Sequence, residues 1–239
     1  MSKDKILYEG KAKTIIKGPT KHTLIQRFKD DATAYNKKKH KIFKGKGALN
    51  NKISEYIMNY LRLEKVPLSF IKRVNERDQL IKECEIIPIE FVVRNIITGS
   101  IAKKLDLKEG IKLKKPLLEY YYKEDSLDDP MISRDHVEAF SWASKSEIAK
   151  IDKLSLKINN SLSRLFKKKG LILVDFKLEF GRLKSDKTKI VLADEISPDS
   201  CRLWDIKTNQ KLDKDVFRKG LGSLLTAYQE VASRLGIGH

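Results

Sequence analysis

From residue 171 to residue 180 apolar and charged side chains alternate, which dictates a β-strand with two unlike faces. Ile172, Val174, Phe176, Leu178 and Phe180 form an apolar face, and Asp175, Lys177 and Glu179 project to the other. Three charges on a strand otherwise fit for burial are either a solvated surface or a chemical site. The cost of burying them without partners favours the site. The next strand-like run, residues 189–196, contains Asp194. An even hairpin loop centred between Asp186 and Lys187 would set Glu179 opposite Asp194, with Cβ atoms roughly 4.5 to 5.5 Å apart. Carboxylates that close repel each other unless a cation lies with them, and an all-oxygen pair suits Mg²⁺ better than zinc.

At 239 residues the chain has room for one large or two smaller domains around a core that needs no covalent staples. Cys84 and Cys201 are far apart, with no CxxC or Cys/His cluster. A disulfide framework and a structural zinc are therefore poor fits, and a reducing, cytoplasmic setting is expected. The first residues run directly into a strand pattern with no apolar signal core, and no stretch is long and apolar enough to cross a membrane, so a soluble protein without a membrane partner is expected. The net charge of +18 raises the question of nucleic acid. Its lysines are spread along the whole chain, and the runs 37–39 and 167–169 lack interleaved aromatics. A solvated basic surface that attracts small phosphorylated substrates fits better than a nucleic-acid partner.

Residues 5–9, 14–16 and 23–28 read as strands of an antiparallel meander, separated by the turn signals Gly10 and Gly18-Pro19. A helix is expected over 49–63, from the stripe Leu49, Ile53, Tyr56, Ile57, Tyr60 and Leu61. Strands near 69–74 and 79–84 lead into 86–94, where Ile87, Ile89, Phe91 and Val93 share one face and Glu90 and Arg94 the other. A short helix near 100–105 precedes a charged, Tyr-rich stretch at 109–134 without clear periodicity, which reads as a binding loop or lid. A capping box, Ser144-x-x-Glu147, opens a helix that Gly170 closes. After the charged hairpin come a loop at 197–205 and a last helix over 214–235. The pattern implies an α+β fold, with an N-terminal, mainly antiparallel β lobe at 1–84 and a C-terminal α+β lobe at 85–239 around a shared cleft.

Gly10-Lys11-Ala12-Lys13 has one glycine and is not a Walker loop. It is either a basic turn covering phosphates or an exposed hairpin tip. Arg94 with Ser100, and Arg202 after Pro198-Asp199, are donors suited to a phosphate or a carboxylate, because a guanidinium binds such oxygens in bidentate fashion. The four histidines show no HxxxH spacing and no GxSxG occurs, which leaves zinc hydrolysis and serine-triad chemistry unsupported. Cys201 has no base nearby in sequence and reads as a spectator.

Taken together, LYEGKAK (residues 7–13), FKDDATA (28–34), PIEFVVRN (88–95) followed by Gly99-Ser100, VDFKLEFG (174–181), and ADEISPD (193–199) followed by RLWD (202–205) resemble the signature segments of the phosphoribosylaminoimidazole-succinocarboxamide synthase (SAICAR synthetase) family. The resemblance runs in order along nearly the whole chain. It implies a fold with antiparallel sheets and flanking helices around an ATP cleft, related to ATP-grasp and kinase-like folds. The implied activity joins L-aspartate to the carboxylate of carboxyaminoimidazole ribonucleotide with ATP, in a cytoplasmic homodimer. It implies ATP phosphates at Gly10, Lys11, Ala12 and Lys13, adenine near Lys82 to Cys84, and a further nucleotide contact at Lys123. Glu179 and Asp194 would hold Mg²⁺ with ATP, and Glu90 a second magnesium at the substrate carboxylate. Arg94, Ser100 and Arg202 would bind the ribonucleotide phosphate, Asp175, Lys177 and Asp199 would surround the imidazole and the reacting carboxylate, and Asp129 would lie near aspartate. After Thr33-Ala34 this chain continues into lysines where the family more often has a small residue. A kinase-like phosphotransferase shares the basic turn and the carboxylate-bound metal, but no HRD or DFG-type motif is present. A nucleic-acid module would need a basic stripe with stacking aromatics.

Overall fold

The computed structural model describes residues 5–34 and 39–238; the lysine-rich segment at 35–38 lies outside the described residues. A five-stranded antiparallel sheet is built from β1 (Ile6–Glu9), β2 (Lys13–Lys17), β3 (Thr23–Phe28), β6 (Phe70–Arg73) and β7 (Asp78–Lys82), in the order β1-β2-β3-β7-β6. Between them the chain forms a small ribbon, β4 (Asp31–Ala34) with β5 (Lys39–Ile42), and helix α1 (Lys46–Leu63). Gly18 is required where the meander turns, because a Cβ there would lie 2.4 Å from the Thr23 carbonyl carbon. Helix α1 starts three residues before its apolar stripe predicts, directly after Gly45 in the left-handed region.

The second sheet collects every later strand: β8 (Cys84–Ile96), β9 (Lys112–Tyr122), β10 (Met131–Ile132), β11 (Leu171–Leu183), β12 (Asp186–Leu192) and β13 (Cys201–Asp205). Its order is β10-β9-β8-β11-β12, with β13 paired to the first half of β11. Helices α2 (Ser100–Lys104), α3 (Arg134–Ala139), α4 (Lys145–Lys168), α5 (Asp215–Lys219) and α6 (Leu224–Leu235) complete the chain. The capping box at Ser144 and Glu147 forms as the spacing predicts, and Ile148, Ile151, Ile158, Leu162, Leu165 and Phe166 of α4 are buried against the sheet. One hydrophobic core runs from Ile53 and Ile57 of α1 through Ile87, Ile89, Phe91 and Val93 of β8 to Tyr228 and Val231 of α6. The sheets join where Ser69 N–H donates to Leu192 O at 2.9 Å and Leu192 N–H donates to Pro67 O at 2.9 Å.

Four expectations are corrected. The stretch 109–134 is not one aperiodic loop: it contains the 11-residue strand β9, whose tyrosines 120 and 121 are buried, while Lys123, Asp125 and Asp129 beyond it line the cleft. The first half of β9 lacks alternation because β10 covers only Tyr120 and Tyr121, leaving Lys112 to Leu117 on an open edge where lysine suits either face. The segment 197–205 is not all loop, since 201–205 form β13. The last helix is two helices, because Gly220 and Gly222 take φ of +67° and +134° and end α5. Leu221, between these two glycines, is exposed.

The fourth concerns β11 itself. Leu171 to Leu173 pair with Asp205 to Leu203, but Asp175 pairs with Arg202, so Val174 is an extra residue, a β-bulge. The bulge reverses the facing of the strand. Leu171 and Leu173 join Phe176, Leu178 and Phe180 in the main core, whereas Ile172 and Val174 form a separate small cluster with Ile96 and Trp204. The apolar face read from alternation alone is therefore wrong in its first half.

Candidate active site

The β1–β2 turn overhangs the polar face of β8 and β11, enclosing a cleft of about 1010 Å³ lined by residues of both sheets. The turn is closed by Gly10 N–H donating to Lys13 O at 2.8 Å, and the Lys11 ammonium is paired with Asp125 at 2.7 Å. Lys13 reaches across the cleft to Asp194 and Glu195. On β11, Lys177 Nζ donates to Glu179 Oε1 at 2.5 Å and to Glu90 Oε1 of β8 at 2.7 Å, with Asp194 Oδ2 at 3.7 Å. Lys123 pairs with the other oxygen of Glu179. Charges this dense are kept ionised by one another. Burial opposes the Lys177 cation, yet the fields of Glu179 and Glu90 overcome it and push the ammonium upward. For Glu179 burial again opposes ionisation, and Lys177, Lys123 and Lys13 outweigh it, holding the carboxyl below its ordinary range.

Glu179 and Asp194 do meet in the cleft, but not in the expected register. Phe180 pairs with Leu192, and Ala193 N–H donates to Glu179 O at 2.9 Å, so Ala193 takes the position expected for Asp194. A tighter turn, with Leu183 opposite Asp186, and an irregularity at Arg182/Leu183 together shift the ladder by one residue. Asp194 lies beyond the end of β12 and approaches Glu179 from the bend, with Lys177 shared between them.

Glu90, Glu179 and Asp194 offer hard oxygen donors that surround one ammonium within 4 Å, a donor set chemically suited to magnesium. Among the described residues no three His, Cys, Asp or Glu side chains converge as a ready-made metal cage.

At the far end of the cleft Arg94 and Arg202 both turn their Nη1 to Asp175 Oδ2, at 2.8 and 2.7 Å. Arg94 Nη2 donates to Ser100 Oγ at 3.3 Å. Gly99 is required beside them: its φ is +66°, and a Cβ would stand 2.6 Å from Arg202 Nη2. Asp199 is held in the cleft by Lys46 and Asn50 of α1, at 2.5 and 2.8 Å, and by the Tyr228 hydroxyl of α6 at 2.7 Å. Burial resists its charge, but Lys46 and Lys214 prevail and hold its pKa at about 2.

Lys82, Cys84 and Asp129 also line the cleft. Lys82 Nζ donates to Leu68 O at 3.4 Å, and burial pushes the Cys84 thiol up to about 11, away from reactivity. Asp129 Oδ1 accepts from Glu124 N–H at 3.0 Å. Cys201 is buried and its thiol is pushed well up by burial and four carboxylates. Lys46, Glu195 and Tyr228 were not anticipated from sequence. The Lys44-Gly45-Lys46-Gly47 spacing offered a faint signal for Lys46, while Tyr228 looks like one more member of an apolar helix stripe.

The family model described as SAICAR synthetase matches residues 6–235. The phosphoribosylaminoimidazole-succinocarboxamide synthase of Rhizobium meliloti (strain 1021) is 58% identical over 238 residues, covering 99% of this chain and 94% of its own length. A crystal structure of phosphoribosylaminoimidazole-succinocarboxamide synthase from Ehrlichia chaffeensis superposes with a TM-score of 0.96 at 48% identity, covering 98% of this chain and all of the other. A SAICAR synthetase solved in complex with ADP superposes with a TM-score of 0.91 at 46% identity, over 95% of this chain and 96% of the other. None of these likenesses supports a kinase-like phosphotransferase. The chain belongs to the SAICAR synthetase family and is an ATP-dependent ligase of purine biosynthesis.

Proposed function

We propose that this cleft joins L-aspartate to the carboxylate of carboxyaminoimidazole ribonucleotide through an acyl phosphate, and that its residues divide the work by position. ATP phosphates lie under the turn Gly10, Lys11, Ala12 and Lys13, with adenine beside Lys82 and Cys84 and a further contact from Lys123. The 1–84 segment thus covers the nucleotide, and 85–239 supplies the carboxylates and the ribonucleotide site. Glu179 and Asp194 would hold Mg²⁺ with the nucleotide and Glu90 a second ion near the substrate carboxylate. The metal would supply charge neutralisation at the phosphoryl oxygens. Arg94, Ser100 and Arg202 bind the ribonucleotide phosphate, and Asp129 lies toward aspartate.

An unactivated carboxylate is a poor acyl donor to an amine, so activation must come first. A carboxylate oxygen of the ribonucleotide attacks the γ-phosphorus of ATP and ADP leaves. The amine of aspartate, having lost a proton, then attacks the acyl carbon, and phosphate departs as the amide forms. Lys177 is suited to offset the charge that moves through phosphoryl transfer, and Asp175 and Asp199 to orient the imidazole and the reacting group. The observation that carries this reading is the Lys177 ammonium, bound to Glu90 and Glu179 in one cleft with the Arg94–Arg202 pair. A cytoplasmic homodimer without nucleic-acid or membrane partners goes with it. Among the described residues no helix is long and apolar enough to cross a membrane. A coupled assay with ATP, aspartate and the ribonucleotide, omitting each in turn, tests the reading: ADP should form only when the ribonucleotide is present, and ADP release independent of it and of aspartate overturns the ligase.

A further inference from the structure

We propose that Glu119 and Asp215 are positioning residues that aim the two guanidiniums of the ribonucleotide phosphate site. The proposal rests on the reading of Arg94 and Arg202 as that site. The two arginines are held in the same way by different parts of the chain. Glu119 of β9 takes Arg94 Nε at 2.6 Å, and Asp215 of α5 takes Arg202 Nε at 3.0 Å. Asp175 takes Nη1 of both. Each guanidinium is thus fixed along its Nε and Nη1 positions, and both Nη2 groups are left toward the Gly99–Ser100 turn. There Arg94 Nη2 meets only hydroxyls, Ser100 at 3.3 Å and Tyr121 at 3.4 Å, and Arg202 Nη2 has no partner among the described residues.

The clamps are themselves anchored. Glu119 is 6% exposed and also accepts from the Tyr121 hydroxyl at 2.9 Å. Asp215 is 1% exposed and takes Arg218 Nη1 at 2.8 Å, while its own N–H donates to Asp213 Oδ1 at 2.7 Å. Asp213 Oδ2 in turn accepts from Leu203 N–H, the neighbour of Arg202 on β13, at 2.9 Å. Counting Arg218, three carboxylates face three guanidiniums, which is a poor balance for attracting a dianion by net charge. It is the right balance for holding two long side chains still, since a fork already aligned loses little freedom when a phosphate arrives.

The two roles of Glu119 predict opposite signs. If it acted only through its charge, its removal would strengthen binding of the ribonucleotide phosphate. If it positions Arg94, Glu119→Gln raises the ribonucleotide KM by at least ~5-fold, because a loosened fork no longer meets the phosphate in two-point fashion. The KM for ATP should stay within about twofold, as the nucleotide lies elsewhere in the cleft. Steady-state kinetics on Glu119→Gln, Asp215→Asn, Arg94→Lys and the double variant Glu119→Gln/Arg94→Lys provide the test. A double variant no worse than Arg94→Lys supports action through Arg94, and additive penalties overturn it. An unchanged or lowered ribonucleotide KM in both Glu119→Gln and Asp215→Asn overturns the clamp while Arg94→Lys still raises it. An unchanged KM in Arg94→Lys removes the phosphate-site reading instead. Should Glu119→Gln fail to fold, Asp215→Asn with Arg202→Lys gives the same cycle on the other arginine.

Discussion

The Lys46 ammonium, wholly withdrawn from solvent, ends 2.5 Å from Asp199 Oδ2, joining the first turn of α1 to the loop before β13 across 153 residues of chain. A charge that deep is stable only in company. Asn50 donates to the same oxygen and the Tyr228 hydroxyl to Oδ1, so Asp199 enters the cleft as a held anion rather than as a proton carrier.

Lys46→Met should cost about 3–5 kcal/mol, the loss expected when one partner of a buried pair is removed. It should also move the acid limb of stability. The Asp199 carboxyl is lowered to about 2 in the fold, against ~3.9 in an unfolded chain. Its contribution is thus complete above the unfolded value and disappears as pH falls through the folded one. Urea midpoints measured between pH 2 and pH 6 should fall on acidification in the parent. In Lys46→Met the Asp199 share of that fall should shrink, because a carboxyl whose burial is no longer outweighed has less stability to lose on acidification.

Glu179→Gln and Asp194→Asn should each lower magnesium-dependent turnover at least ~10-fold without loss of fold. Both side chains face the cleft rather than the core, so thermal unfolding should stay cooperative. A magnesium titration of ADP formation provides the check, and parent-like turnover in either variant at equal magnesium would remove that carboxylate from the site.

Gly99→Ala should damage the ribonucleotide site alone. A Cβ would meet Arg202 Nη2 at 2.6 Å in a backbone conformation of φ +66°, and Asp175 and Asp215 leave that guanidinium little room to withdraw. The KM for the ribonucleotide should rise by ~10-fold or more, with the KM for ATP little changed. Equal rises for both substrates would point to a general loss of structure.

Ribonucleotide carrying heavy oxygen in its carboxylate should deliver one labelled atom to inorganic phosphate in each turnover, because the acyl phosphate gives up that oxygen when the amide forms. Lys177→Met should suppress label transfer and product together if its ammonium offsets the developing charge. Mass analysis of the phosphate decides: unlabelled phosphate excludes the acyl phosphate, and transfer at the parent rate in the variant removes Lys177 from phosphorylation.

What could be read from the chain was local. The capping box at Ser144, the stripe of α4 and the charged run Asp175, Lys177, Glu179 each depend on neighbours within a turn or a strand, and they appear as spaced. What could not be read depends on partners far away. Strand β9 breaks the alternation rule because half of it has no neighbour on one side, and the β11–β12 register slips because an irregularity near a turn leaves no mark on hydrophobicity. Glu119 and Tyr228 look like ordinary strand and helix residues until Arg94 and Asp199 arrive from other segments. Arg94 and Arg202 were identifiable as anion donors, but the carboxylates that hold their Nε atoms were not.

The extra residue at Val174 gives β11 two allegiances. Before it, the strand's inward side chains belong to the core; after it, the same alternation serves the core with Phe176, Leu178 and Phe180 and the cleft with Asp175, Lys177 and Glu179. A chain lacking that one residue could keep its hydrophobic order at one end only by driving three charges into the interior at the other. The length of this strand is therefore under a parity constraint: substitutions can be absorbed along it, but a single deletion would exchange the inside of the protein for its active site.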